Sequence, residues 1–436
     1  MGLFARDLLN EGVRGREVFG WSMYDFANSG YTTVVLTAVY NAYFVGVMAQ
    51  GSPSATLLWT SLLALSSFIV MITMPALGAY ADAHGAKKRV LAFSTLGCIA
   101  ATLMLGLAAA PGQIVWAGVA VVVSNTCYSY GESLIAAFLP ELARRDALGR
   151  VSGWGWAFGY FGGMLSLGLS LAYVLHAQAA GQRAEEFVPV TMFITAAIYA
   201  AAAIPTFLLL RERRPAQARP APVAAASVLA HGVQALRASW QRARAYPDFM
   251  RLLACGVSYQ AGISVVIALA AVYAEQTLGF SQSETMALVF LVNIASALGA
   301  FAFGYFEDRV GHQRALSLTL LGWVLMTLLA YAATGPALFW VAAVIAGLCM
   351  GSSQSCGRAL AGAFAPAPYL AEFFGLWTFA TRLAAILGPL TYGLVTVLTA
   401  GNHRLAILST GAFFLLGWWL LSLVNMQRGV AAAQRA

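Results

Sequence analysis

Apolar residues in this chain gather into runs long enough to cross a bilayer as helices, about 20 residues each, and the runs recur from one end to the other. Short alternating strands of the kind a transmembrane barrel needs do not occur. The pattern predicts twelve spans, at 18–48, 57–81, 89–110, 114–139, 151–177, 188–210, 249–276, 284–306, 314–334, 337–363, 371–399 and 403–426. The long connection between the sixth and seventh, 211–248, starts rich in Pro, Ala and Arg. It then takes helical spacing through Val228, Leu229, Val233, Leu236 and Trp240, which predicts an amphipathic helix at the membrane surface. It divides the chain into a six-span bundle at 1–210, a linker at 211–248 and a second six-span bundle at 249–436.

Polar residues inside the runs fall on faces. Asp25, Asn28 and Thr32 stand at i, i+3 and i+7 of the first span, flanked by Tyr24 and Tyr31. A carboxylate near a helix centre in lipid costs about 2.5–3.5 kcal/mol, so Asp25 must face protein or water. The stripe is therefore read as one wall of a central cavity. Asn125, Tyr128, Ser129 and Glu132 form a second stripe in span 4, and Gly351, Gln354, Ser355 and Arg358 a third in span 10. Arg382 lies deep in span 11.

The halves repeat. Gly78 and Gly304, Asp82 and Asp308, Gly85 and Gly311, Pro140 and Pro366, Gly149 and Gly375, and Gly162 and Gly388 all stand 226 positions apart. Ser129 maps onto Ser355 and Glu132 onto Arg358 at the same offset. Parallel halves related by an axis along the membrane normal are a transporter design, with the site between them.

Composition agrees. The 436 residues are 60% hydrophobic and 10% charged, far below the quarter or so of a soluble domain, and mean hydropathy is +0.74. The net charge of +8 reflects topology rather than nucleic-acid binding. Arg6, Arg14, Arg16, Lys87, Lys88, Arg89, Arg144, Arg145, Arg150, Arg211, Arg213, Arg214, Arg309, Arg314 and Arg428 fall on the side of the termini. Arg183 and Arg404 fall opposite. The positive-inside rule makes both termini cytoplasmic, facing anionic headgroups. The N-terminal stretch lacks an apolar core with a cleavage site, so the first span is expected to direct insertion. Gly2 is no lipidation signal, because Arg6 stands where Ser or Thr is needed.

The five cysteines sit in apolar runs without a CxxC and read as packing residues. His84, His176, His231, His312 and His403 lie in or near loops and span ends and join no carboxylate cluster, so neither a metal nor another cofactor is expected. A Walker loop is missing, and GYFGG at 159–163 is inside an apolar run, so ATP hydrolysis and nucleotide binding are excluded. The chain is not expected to be an enzyme.

Twelve spans as six and six, a long central connection, and G-x-x-x-D-x-x-G followed by basic residues after spans 2 and 8 resemble the major facilitator superfamily. The motif is carried by Gly78, Asp82 and Gly85 with Lys87, Lys88 and Arg89, and by Gly304, Asp308 and Gly311 with Arg314. Within the superfamily, W-x-x-Y-D-x-A-N-S at Trp21–Ser29 resembles the vacuolar amino-acid effluxers linked to autophagy in fungi and their bacterial relatives. The resemblance implies an all-α membrane protein of twelve transmembrane helices in two pseudo-symmetric bundles, moving a small solute, with amino acids first. It also implies a gate at Asp82 and Asp308 that forms when the cytoplasmic side closes. Arg144, Arg145 and Arg150 are the basic groups within reach of it. Gly155, Gly159, Gly162 and Gly163 resemble the glycine-rich motif of superfamily antiporters, but Tyr160 stands where that motif has proline, so antiport is not implied.

Two roles for the four charges stay open. Arg358 or Arg382 would bind a carboxylate, and Asp25 or Glu132 an ammonium or a coupled proton. The same groups could instead form an ion-pair network that latches the halves together. The expected function is secondary transport by alternating access in a bacterial inner membrane, with solute, lipids and protons as partners. The alternatives are transport of another small amphiphile, a membrane sensor that does not transport, and a lipid scramblase.

Overall fold

The computed structural model describes residues 4–49, 55–108, 111–213, 232–280 and 282–435. Gly2, Arg214, Val228, Leu229 and His231 lie outside them. Within the described residues the chain is helical, apart from one antiparallel bridge between Leu9 and Ala143. The first half holds α1 (Gly15–Tyr31), α2 (Ala55–His84), α3 (Lys87–Leu107), α4 (Ile114–Ala136), α5 (Leu148–Ala179) and α6 (Ala184–Leu209). The linker supplies α7 (Gly232–Ala243). The second half holds α8 (Pro247–Leu278), α9 (Gln282–Val310), α10 (His312–Ala332), α11 (Pro336–Phe364), α12 (Leu370–Leu398) and α13 (His403–Ser422), and α14 (Met426–Gln434) follows.

Eleven of these helices are long and apolar enough to cross a membrane on composition alone. The remaining long helix, α4, is diluted by SNTCYSYGES at 124–133. It packs against α2 and α3 all the same. Leu57, Phe93, Leu107, Val115, Leu208 and Val397 stand well exposed on the outer surface, as lipid-facing residues must.

The first span departs from the expected single helix. Regular α geometry stops at Tyr31, and wider turns follow over Thr32–Ala38 and Phe44–Met48. Val39 donates to Val34 O, five residues back, while the Thr32 and Thr33 hydroxyls both donate to Ser29 O. Hydroxyls that bond back to the preceding turn compete with backbone amides and favour such widening.

Within the first half, α1 packs on α5 and α6, and α3 on α4 and α6. Glycine permits the α1–α5 approach: a Cβ at Gly162 would stand 2.1 Å from Phe26 O. Within the second half, α9 packs on α11, and α8 on α12 and α13. Between halves, α2 packs along α12 and α5 along α9 and α11. The second and fifth spans of each half therefore meet the fifth and second of the other, as the repeat demands. The charged residues sit along these seams.

Candidate functional site

Arg358 on α11 reaches into the first half. Its Nη1 donates to Asp25 Oδ2 on α1 at 2.6 Å. Its Nε donates to Ser152 Oγ at 3.1 Å and its Nη2 to Ser152 O at 2.7 Å, both on α5. The guanidinium carbon lies 4.7 Å from the Trp21 ring and 5.3 Å from the Trp156 ring. Every nitrogen is engaged, and the side chain is 7% exposed. Gly155 makes room for the pair: a Cβ there would stand 2.4 Å from Asp25 Oδ2 and 2.6 Å from Arg358 Nη2.

The second pair is more open. Arg382 Nη2 on α12 donates to Glu132 Oε2 on α4 at 3.0 Å. The Glu132 side chain is 39% exposed, and Arg382 Nε is buried without a partner. The guanidinium sits 5.9 Å from the Tyr128 ring, which stacks on Tyr31. In both pairs the carboxylate comes from the first half and the guanidinium from the second. Glu132 and Arg358, related by the 226 offset, each take another partner.

The other stripe residues turn inward. Tyr199 on α6 donates to Asn28 Oδ1 at 2.8 Å, and Tyr24 O–H lies near Thr95 and Tyr199. Asn125 Nδ2 donates to Ser66 Oγ on α2 at 2.5 Å, leaving its buried Oδ1 unpaired. Gln354 and Gln260 exchange amide bonds between α11 and α8. The expected polar wall at Asp25, Asn28 and Thr32 is therefore split. Asp25 bonds across to the other half, whereas Asn28, turned about 60° round the helix, meets Tyr199 of α6, and the Thr32 hydroxyl bonds back to Ser29 O.

At the end of the bundle that bears the termini, the two halves close on each other. Asp308 accepts from Gly149 N (2.9 Å), Arg150 N (3.1 Å) and Arg150 Nε (2.7 Å) at the start of α5. Asp82 accepts from Glu372 N (2.9 Å) at the start of α12. Each carboxylate thus meets a helix N-terminus of the opposite half, where backbone N–H groups lack intrahelical partners. Contact is backbone-close: a Cβ at Gly78 would lie 2.3 Å from Ala371 O, and one at Gly304 2.7 Å from Gly149 O. Gly85 and Gly311 turn the chain with positive φ, 56° and 92°. Arg150, not Arg144 or Arg145, supplies the cation. Arg144 pairs with Asp146 on the surface.

Further ties reinforce this end. Lys87 pairs with Glu141, Arg242 of α7 with Glu372, and Arg213 with Glu17. Glu212 accepts from Lys87 N and Lys88 N at the start of α3. Burial pushes the Glu141 carboxyl above its ordinary value, against the pull of Lys87.

Trp21, Ser152, Gly155 and Trp156 complete the Arg358 cradle but did not stand out from sequence as ligands. The signal was there: Trp21 and Asp25 are one turn apart, and Ser152, Gly155 and Trp156 stand at i, i+3 and i+4. Glu372, Arg242 and Glu141 were missed too, because their partners come from distant helices.

Two six-helix halves, a charged seam between them and paired carboxylate contacts closing one end are the build of a polytopic membrane transporter of the major facilitator superfamily. Residues 41–434 match a family described as "Vacuole effluxer Atg22 like". The chain belongs to that family, a branch of the superfamily, and is a secondary transporter rather than an enzyme. It is similar to the uncharacterized MFS-type transporter YxiO of Bacillus subtilis (strain 168), 25% identical over 95% of this chain and 96% of YxiO. It is also similar to autophagy-related protein 22-1 of Aspergillus fumigatus (strain ATCC MYA-4609 / CBS 101355 / FGSC A1100 / Af293), 22% identical over 94% of this chain and 80% of that protein. In fold it is similar to the human organic anion transporter MFSD10 (TETRAN), with TM-score 0.75 and 17% identity, covering 93% of this chain and 99% of that one.

Proposed function

We propose that the protein carries a small zwitterionic solute, with amino acids as the best-matched class, across a bacterial inner membrane by rocking its two halves about the charged seam. The Arg382–Glu132 pair carries this reading. It joins opposite charges from the two halves, Glu132 is open to solvent, and Arg382 keeps an unpaired nitrogen. A guanidinium suits the carboxylate of an amino acid and a carboxylate suits its ammonium. Tyr128 and Tyr31 supply an apolar floor. The Asp25–Arg358 pair, already saturated, acts as the latch between halves. Glu132 is the candidate proton carrier, because solvent reaches it.

The excess of basic residues on the side of the termini supports cytoplasmic termini. On that orientation the gate at Asp82 and Asp308 is the cytoplasmic one, and it is shut here.

Reconstituted flux of a labelled amino-acid panel, with and without a pH gradient, tests the proposal. Saturable flux is expected for at least one amino acid, with Arg382→Ala lowering it at least about tenfold, the worth of one charged hydrogen bond. Glu132→Gln should lose the dependence on the pH gradient. Undiminished flux in both variants overturns the site. Absence of flux for the whole panel overturns the substrate class, and movement of labelled lipid in the same vesicles assigns a scramblase instead.

A further inference from the structure

The linker helix α7 and α12 enclose a groove of about 430 Å³, lined by Leu236, Arg237, Trp240, Gln241, Arg244 and Phe379. We propose that it binds an anionic phospholipid, with Arg237 and Arg244 on the phosphate and an acyl chain along Leu236, Trp240 and Phe379.

The helix spacing builds this face. Leu236 and Trp240 are one turn apart, and Arg237, Gln241 and Arg244 stand at i, i+4 and i+7 beside them. Arg237 and Arg244 are exposed, and neither makes an ion pair with any described residue. Arg242, between them in sequence, is already committed: it pairs with Glu372 and lies 4.5 Å over the Tyr369 ring. Two free cations therefore flank a groove whose aromatic floor, Trp240 on Phe379 at 6.1 Å, belongs partly to a membrane-spanning helix. Charged rim and apolar floor together match an amphiphile. A free phosphate would use the arginines but leave the floor bare.

The groove is mechanically joined to the gate. Arg242 of α7 holds the Glu372 side chain, and Glu372 N donates to Asp82. A lipid that fixes α7 against α12 braces the contact that keeps this end closed. Nothing in this proposal depends on which solute is carried.

Native mass spectrometry of the purified protein with phosphatidylglycerol or phosphatidylcholine tests it, with melting temperature measured in parallel. Retention of phosphatidylglycerol over phosphatidylcholine is expected. Arg237→Gln with Arg244→Gln should weaken it by roughly 30-fold, the worth of two cations near an anionic headgroup. Arg183→Gln with Arg404→Gln, at the opposite end, should not. Phosphatidylglycerol should raise the melting temperature of the unaltered protein but not of the groove variant. Inorganic phosphate and glycerophosphoglycerol without acyl chains should neither bind nor compete. Equal retention of the two lipids, or unchanged binding in the groove variant, overturns the proposal. Full displacement by inorganic phosphate makes this a free-anion site and also overturns it.

Discussion

Asp25 and Arg358 are 333 residues apart in the chain and 2.6 Å apart in space, one in each half of the transporter. The pair is nearly sealed from solvent and crosses the seam between the two halves. Removing one partner leaves the other charge buried and uncompensated, a cost of about 3–5 kcal/mol. Removing both leaves no orphan charge. Asp25→Asn and Arg358→Gln should each lower the melting temperature in detergent more than the double variant does. A coupling energy of at least about 3 kcal/mol is expected from the cycle, because the double variant costs less than either single one. Strictly additive effects would show that the pair is not a latch.

Gly155 tests the same latch without touching a charge. A methyl group there would press on Asp25 Oδ2, Arg358 Nη2 and the Trp21 ring at once, at 2.4, 2.6 and 2.7 Å. Gly168, on the same helix, has nothing within 4 Å of its Cβ position. Gly155→Ala should lower melting temperature and flux together. Gly168→Ala should be neutral or gain up to about 1 kcal/mol from helix propensity. Equal behaviour of the two variants would remove the steric argument.

Much of this architecture could be read in the sequence, for a physical reason. Charges are costly in lipid, so Asp25, Glu132, Arg358 and Arg382 stood out from apolar runs. The 226-residue repeat marked Asp82 and Asp308 as equivalent positions, and the structure sets each against a helix N-terminus of the other half. Pairing was not legible. Which guanidinium meets which carboxylate depends on how helices of different halves cross, and no one-dimensional pattern encodes that. Asn28 shows the same limit: it shares a face with Asp25 by rule, yet bonds Tyr199 inside its own half. Trp21 and Trp156 look like packing residues until a guanidinium lies between them.

Glu141 gives the fold a pH dependence of known sign. It lies in the connection between α4 and α5, where burial raises its carboxyl above the ordinary 4.5. The folded chain therefore holds this proton more tightly than the unfolded chain. The group's contribution to stability is greatest below about pH 4.5 and declines as pH rises through the raised folded value. Lys87→Met with Glu141→Gln removes both charges and this slope. The melting-temperature difference between the unaltered protein and the double variant should favour the former most at the acid end. A difference flat across that range would contradict the assignment.

The gate makes the sharpest conformational prediction, because its two sides are built unequally. Asp308 accepts from backbone N–H groups of α5 and from the Arg150 guanidinium, whereas Asp82 accepts from backbone N–H groups at the start of α12. Hydrogen bonds to a charged group are worth about 1.5–3 kcal/mol each, so Asp308→Ala should loosen the closed end more than Asp82→Ala. Gly78 offers a route that leaves both carboxylates in place. A Cβ at 2.3 Å from Ala371 O meets backbone, which cannot rotate away, and overpacking of this kind costs about 1–3 kcal/mol. The clash exists only while α2 and α12 are closed, so Gly78→Ala should favour the open end, whereas Gly393→Ala, with nothing within 4 Å, should not. Spin labels at the exposed positions Arg89 and Arg309, one in each half at this end, report the separation in a background without the native cysteines. The long-distance population should grow in the order Gly393→Ala, Asp82→Ala, Asp308→Ala, with Gly78→Ala also shifted. An unchanged distance distribution in Gly78→Ala and Asp308→Ala alike would mean that these contacts do not hold the gate shut.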